Sequence, residues 1–281
     1  MGVRVVEIWG GDLTLGASGV GAEAALAACA ERIDRARAGV SEDGALLAQR
    51  LFDLLPRTQA GRRAADARRF VAQALNQTDE TAVPPALVTL PGAIGDEAVD
   101  FLAAQKGVDG AYVLADSFLA FSGPDIELAN DGRPVSELGQ MVVHDLVVKG
   151  RGGIGFAGLS HGPPTMGIGE QVACVGENAA VGLMAAAMMA DGMVVGSSNV
   201  VMAGAAGPYE PAYQGVAVTR AVGALAADEI WEGLSGGMRV AQRLKTAGIL
   251  TAGVLTLKGR GRVVGPVEAD RLLRFGVSEW R

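Results

Sequence analysis

The chain has 281 residues, 49% hydrophobic and 20% charged, with a net charge of −7 at pH 7. That balance excludes a disordered polyelectrolyte and argues against nucleic acid as a partner, because phosphates demand a basic surface. The 41 glycines and an aromatic share of only 5% point to a core of Ala, Val, Leu and Met joined by many tight turns.

In chain order, VRVVEIWGGDLTL at 3–15 predicts two strands meeting at a Gly-Gly turn. AEAALAACAERIDRARA at 22–38 has helical spacing of its apolar residues. SEDGALLAQRLFDLL at 41–55 predicts a helix opened by Ser41 and closed by Pro56, and AGRRAADARRFVAQALNQ at 60–77 predicts a third, amphipathic one. Its RRAADARR segment, 62–69, reads as a solvated basic face. ALVTLP at 86–91, IGDEAVDFLAAQKG at 94–107 and GAYVLAD at 110–116 then form a strand-helix-strand pattern, from which a parallel pair is expected. Residues 122–139 are turn-rich, 139–159 read as a hairpin, and 170–190 as one long helix. A strand at 193–201, helical stretches at 214–231 and 238–247 and a final strand pair complete the chain.

Together these predict an α/β fold: a mixed, partly parallel sheet covered by helices, in one large α/β domain spanning 1–281 with a helical insertion at about 40–80. DLVVKGRGGIG at 145–155 and VLTLKGRGRVVG at 254–265 share an apolar strand leading into Lys-Gly-Arg-Gly, an echo that would fit internal pseudo-symmetry. The longest apolar run, AAVGLMAAAMMA at 179–190, falls short of the roughly 20 residues a membrane helix needs, so no membrane association is expected. The N-terminus lacks a signal-peptide pattern. Two cysteines, Cys29 and Cys174, are too few for a disulfide framework, which points to a cytoplasmic setting.

The segment GLSHGPPTMGIGEQVACVGENAA at 158–180 carries the densest chemistry. If its helix begins near Gly169, then Glu170, Cys174, Glu177 and Asn178 share one face, with His161 in the turn before them. His161 and Glu177 would serve as acid and base, Glu170 as a second carboxylate and Cys174 as a potential thiolate, with Asn178 orienting substrate. The two carboxylates disfavour a thiolate, which ranks acid-base work above nucleophilic cysteine. Lys149, Arg151, Lys258 and Arg260, from the two Lys-Gly-Arg-Gly segments, would hold a substrate's negative charge. Tyr209, in the Gly/Pro-rich GAAGPYEPAYQG at 204–215, is open to three readings: a pocket wall, a subunit contact or a plain loop.

No tight metal-ligand spacing is present; His144 and His161 with Asp145, Glu170 or Glu177 leave a divalent metal as a minor option. The expected activity is therefore that of a cytosolic enzyme on a small polar, anionic molecule. Its reaction would be a hydrolysis or other proton transfer without an organic redox cofactor. The alternative is a non-catalytic, self-associating or ligand-binding protein, and a homo-oligomer is expected under both.

Overall fold

The computed structural model describes residues 2–8, 11–123, 126, 128, 150–266 and 278–279. The elements run β1 (Gly2–Ile8), β2 (Gly11–Ser18), α1 (Ala22–Leu47), α2 (Gln59–Ala74), a 3-10 turn at Ala86–Thr89, α3 (Leu90–Ala103), β3 (Gly110–Ala115) and β4 (Phe118–Ser122). They continue with β5 (Arg151–Ala157), β6 (Gln171–Gly176), α4 (Ala179–Asp191), β7 (Val200–Gly204), a 3-10 helix at Gly207–Tyr213 and β8 (Ala217–Val222). The last are α5 (Ala227–Thr246), β9 (Ala252–Leu257), β10 (Arg260–Val264) and β11 (Ser278–Glu279).

The large sheet has the order β1-β2-β3-β4-β5-β6-β9-β10-β11. Every neighbouring pair from β1 to β10 is antiparallel, and only the two-residue β11 joins in parallel. A separate antiparallel pair joins β7 to β8. This corrects the expected mixed, partly parallel α/β sheet. The reason lies at 86–91: ALVTLP forms a 3-10 turn and the first turn of α3, with Pro91 among its first two helical residues, where proline is favoured. Without a strand there, the parallel pair expected around α3 does not form. The chain leaves β2, builds α1, α2 and α3, and returns as β3 antiparallel beside β2.

A second correction concerns 170–190, where one helix was expected. Residues 171–176 are the strand β6, and the helix starts only at Ala179, with Asn178 as its cap accepting from the Val181 amide at 2.9 Å. β6 is buried on both faces. Val172 and Cys174 pack against the helices, while Ala173 and Val175 pack into the core of the opposite face. A strand buried twice reads as an unbroken apolar run, which periodicity alone cannot separate from a buried helix.

Helix α4 is apolar on every side and almost wholly buried between the sheet and α2, α3 and α5. Its backbone lies directly on β5: a Cβ at Gly153 or Gly155 would stand 2.0 Å from the backbone nitrogens of Ala179 and Leu183 respectively. Beneath its first turn, the buried Asp96 of α3 accepts from the Ala179 and Ala180 amides at 2.8 and 2.9 Å.

In the 40–80 region, α1 runs unbroken to Leu47 and α2 packs on α3 and α4. Arg68 of α2 departs from the expected solvated basic face. Its guanidinium is buried, donates to the carbonyls of Arg50, Leu51, Glu80, Val83 and Pro84, and stacks 4.5 Å from the centre of the Phe52 ring. One side chain thus ties together the two loops flanking α2. The β9–β10 turn uses Lys258 and Gly259, both at positive φ. Its counterpart Lys149, and the strand expected before it, lie outside the described residues.

Candidate functional site

The strand registers place several chain reversals at one end of the sheet. These are the β3–β4 turn, where Ala115 pairs with Phe118, the start of β2, and the β5–β6 connection. That connection begins as a continuation of the ladder, with the Leu159 and Ser160 amides donating to the Gly169 and Glu170 carbonyls. It then loops out through 161–168. Gly162 makes the reversal at φ 82°, and a Cβ there would lie 2.1 Å from the Phe156 carbonyl oxygen, so only glycine fits.

A cavity of about 560 Å³ opens at this end, within the size range of small-molecule sites. Its polar wall comprises Asp12, Ser41, Asp116, Ser117 and Tyr209, with Gly162 bringing the 161–168 loop to its rim. The remaining wall is mainly apolar, with Leu13, Val40, Leu87, Leu90, Ile94 and Phe118 contributing. The two residues of the β3–β4 turn thus present a carboxylate and a hydroxyl side by side.

The electrostatics separate the groups by task. Burial lowers the His161 imidazole below its ordinary value while the Asp116 carboxylate partly offsets this, which favours the neutral ring. Burial pushes the Tyr209 phenol up to about 12, against a hydrogen bond with the Ser117 side chain that favours ionisation, so it keeps its proton. Burial thus keeps both groups in their neutral forms, a weaker base and a weaker acid than the free side chains; Tyr209 lines the hollow, while His161 precedes its rim residue Gly162 and senses Asp116.

No family model matches the chain, and no curated protein matches it. What the site can do therefore rests on its own geometry.

The sequence-derived candidates separate as follows. His161 and Tyr209 are brought to the same cavity region, His161 through its electrostatic contact with Asp116 and Tyr209 as part of the wall. Glu170 and Glu177 are not brought together. They flank β6 at opposite ends, separated by roughly 20 Å at strand spacing, so the single helical face expected of Glu170, Cys174, Glu177 and Asn178 does not exist. Glu170 instead accepts from the Lys258 amide at 2.9 Å, and its carboxylate lies 3.6 Å from the Lys258 ammonium. Two expected site residues thus serve each other at the β9–β10 turn.

Cys174 is fully buried in mid-strand, and burial alone raises its thiol far above the ordinary range, opposing a thiolate. Glu177 is exposed, and Asn178 caps α4. Arg151 pairs with Asp100 at 2.9 Å, an interaction Asp100 shares with Arg63 at 2.7 Å, and Arg260 is exposed at the start of β10. Lys149, His144 and Asp145 lie outside the described residues. Among the described residues, no three His, Cys, Asp or Glu side chains cluster in a way that would hold a metal ion. No described helix is long and apolar enough to cross a membrane.

Asp12, Asp116 and Ser117 were not singled out from the sequence. A signal for the last two existed: an Asp-Ser pair between GAYVLA and FLAFS marks a two-residue hairpin turn, and turns at strand ends are where functional side chains collect.

Proposed function

We propose that the protein is an enzyme performing acid-base chemistry, a hydrolysis or an isomerising proton transfer, on a small molecule held in the 560 Å³ cavity. The observation that carries this is the meeting of Asp116, Ser117 and Tyr209 in the cavity wall, with His161 beside the rim residue Gly162 in the chain and within electrostatic reach of Asp116. His161 acts as base, accepting a proton from water or substrate, and Asp116 orients its ring. Tyr209 acts as acid, donating to the oxygen where negative charge develops, and Ser117 holds the phenol in place.

The wall bears on the substrate. Asp12 and Asp116 contribute negative charge, and no Lys or Arg is among the lining residues described. A molecule with an apolar body and a small polar head fits this mainly apolar wall, and none of the described Lys-Gly-Arg-Gly residues lines it. A second reading, a ligand-binding protein without turnover, is supported by the largely apolar wall. Self-association is supported by β7, which exposes Val201 and Met202 on a two-stranded sheet.

The test is a panel of small esters, lactones, amides and enolisable carbonyl compounds assayed with the wild type, His161→Gln and Tyr209→Phe. Turnover that each variant lowers by about 100-fold or more supports the assignment. Turnover indifferent to both substitutions overturns it, and ligand binding without turnover selects the second reading.

A further inference from the structure

Between β7 and β8 the chain leaves the two-stranded sheet, whose last pair is Gly204 with Ala217, and forms a strap, 207–215, most of it the 3-10 helix Gly207–Tyr213. Pro208, Tyr209 and Pro211 line the 560 Å³ cavity, and both prolines are also exposed, so a single thickness of chain stands between the cavity and solvent on this side. Among the described residues, no backbone-to-backbone hydrogen bond joins the strap to a distant part of the chain; the Val216 amide donates only locally, to the Tyr213 carbonyl at 3.0 Å. Side chains hold the strap instead: the Tyr209 hydroxyl, hydrogen-bonded to Ser117, and the buried Ala212 and Tyr213.

Both ends of the strap are free to bend. Gly207 and Gly215 sit at φ 77° and 74°, and a Cβ on either would meet nothing within 4 Å, so no neighbour confines the backbone there. Pro208 and Pro211 fix φ between these ends, which makes the span move as one piece. Tyr213 is 4% exposed, and its hydroxyl has no hydrogen-bond partner among the described residues. That hydroxyl is sealed between the 560 Å³ cavity and a smaller one of about 240 Å³, with Tyr209 in the wall of the first and Asp191 in the wall of the second as electrostatic neighbours. Burying an unpaired hydroxyl opposes closure of the strap, and lifting the strap returns the hydroxyl to water.

We propose that residues 207–215 are a lid on the 560 Å³ cavity, hinged at Gly207 and Gly215 and latched by Tyr209 on Ser117. Burial of Ala212 and of the Tyr213 ring favours the closed position, and the stranded Tyr213 hydroxyl keeps that preference small. A guest enters when the lid lifts; closure returns Tyr209 to the wall and excludes water. Access to the cavity and delivery of the phenol are thereby one motion. The lid's purpose rests on reading that cavity as the active site, but its motion is measured without turnover.

The test is hydrogen exchange of the intact chain without ligand, read by mass spectrometry, comparing peptides over 207–216 with peptides over the buried strand β9, which exchanges only on deep opening. Lid amides exchange about tenfold or more slower than in an unfolded peptide, and about tenfold or more faster than those of β9. Ser117→Ala removes the latch and speeds lid exchange about tenfold without altering β9, and Tyr209→Phe, which removes the same hydrogen bond from the other side, does likewise. Tyr213→Phe removes the hydroxyl that opposes closure and slows lid exchange several-fold. Lid amides as slow as β9, or as fast as an unfolded peptide, would overturn the proposal. It would also be overturned by lid exchange indifferent to both latch variants, or by a Tyr213→Phe variant that fails to slow it. A lid that passes these tests in a protein inert towards the whole substrate panel would sink the acid-base reading alone, whereas turnover without lid motion would sink the lid alone.

Discussion

Replacing Asp96 by Asn tests the link between the buried charge under α4 and the pH dependence of folding. Burial raises this carboxyl from 3.8 to about 6, outweighing the hydrogen bonds from the Ala179 and Ala180 amides and the positive charges of Arg151 and Arg63. The folded state therefore holds the Asp96 proton more tightly than the unfolded chain does. The stability this contributes is fully present below about pH 4, is lost as pH rises towards about 6, and stays lost above that. A shift of about two units corresponds to about 3 kcal/mol. Asn cannot ionise, so the variant lacks this slope whatever the cost of mispairing one of the two amides. Urea unfolding of both proteins at about pH 4 and about pH 8 should show the variant gaining about 3 kcal/mol on the wild type between the two conditions. Parallel stability profiles would refute the reasoning, since Asp96 would then ionise as easily folded as unfolded.

Gly155→Ala drives a methyl into the backbone of α4 at Leu183 and should destabilise by about 1–3 kcal/mol or more, read from the urea midpoint. Arg68→Met strands the carbonyls of Arg50, Leu51, Glu80, Val83 and Pro84; a loss of at least about 3 kcal/mol is expected. Arg68→Lys should recover little of it, because one ammonium cannot span those acceptors, and proteolysis should start in the loops at 50–57 and 80–85. Cys174, buried and held as a thiol, should resist iodoacetamide in the native protein at about pH 8 and react only on unfolding.

The helical layer is legible in part: α2 and most of α3 form where amphipathic spacing places them, but a single helix Ala22–Leu47 replaces the two expected at 22–38 and 41–55, and β8 (Ala217–Val222) lies inside the helical stretch expected at 214–231. Sheet direction is not legible. It turned on 86–91, where ALVTLP has strand composition but Pro91 supports helix initiation, and tertiary packing chose the helix. The 170–190 segment failed for a related reason: β6 and α4 are both buried on all sides, so neither shows a period, and only Asn178 marks the boundary. That error assembled Glu170, Cys174 and Glu177 on a face that does not exist. His161 and Tyr209 were reachable because glycine- and proline-rich loops leave chemistry-bearing side chains conspicuous. Asp116 and Ser117 depend on which loops meet at one end of a nine-stranded sheet, and that is set by strand order alone.

The chain has two histidines, His144 and His161, so imidazole NMR resolves the candidate base directly, and a His144→Gln variant assigns it. The predicted result is a His161 ring titrating below 6.5, whose resonances move when a compound turned over or bound by the protein is added, and whose titration rises on losing neighbours that bury it. A His161 ring that titrates as in a free peptide and stays unmoved by every such compound would contradict the acid-base site.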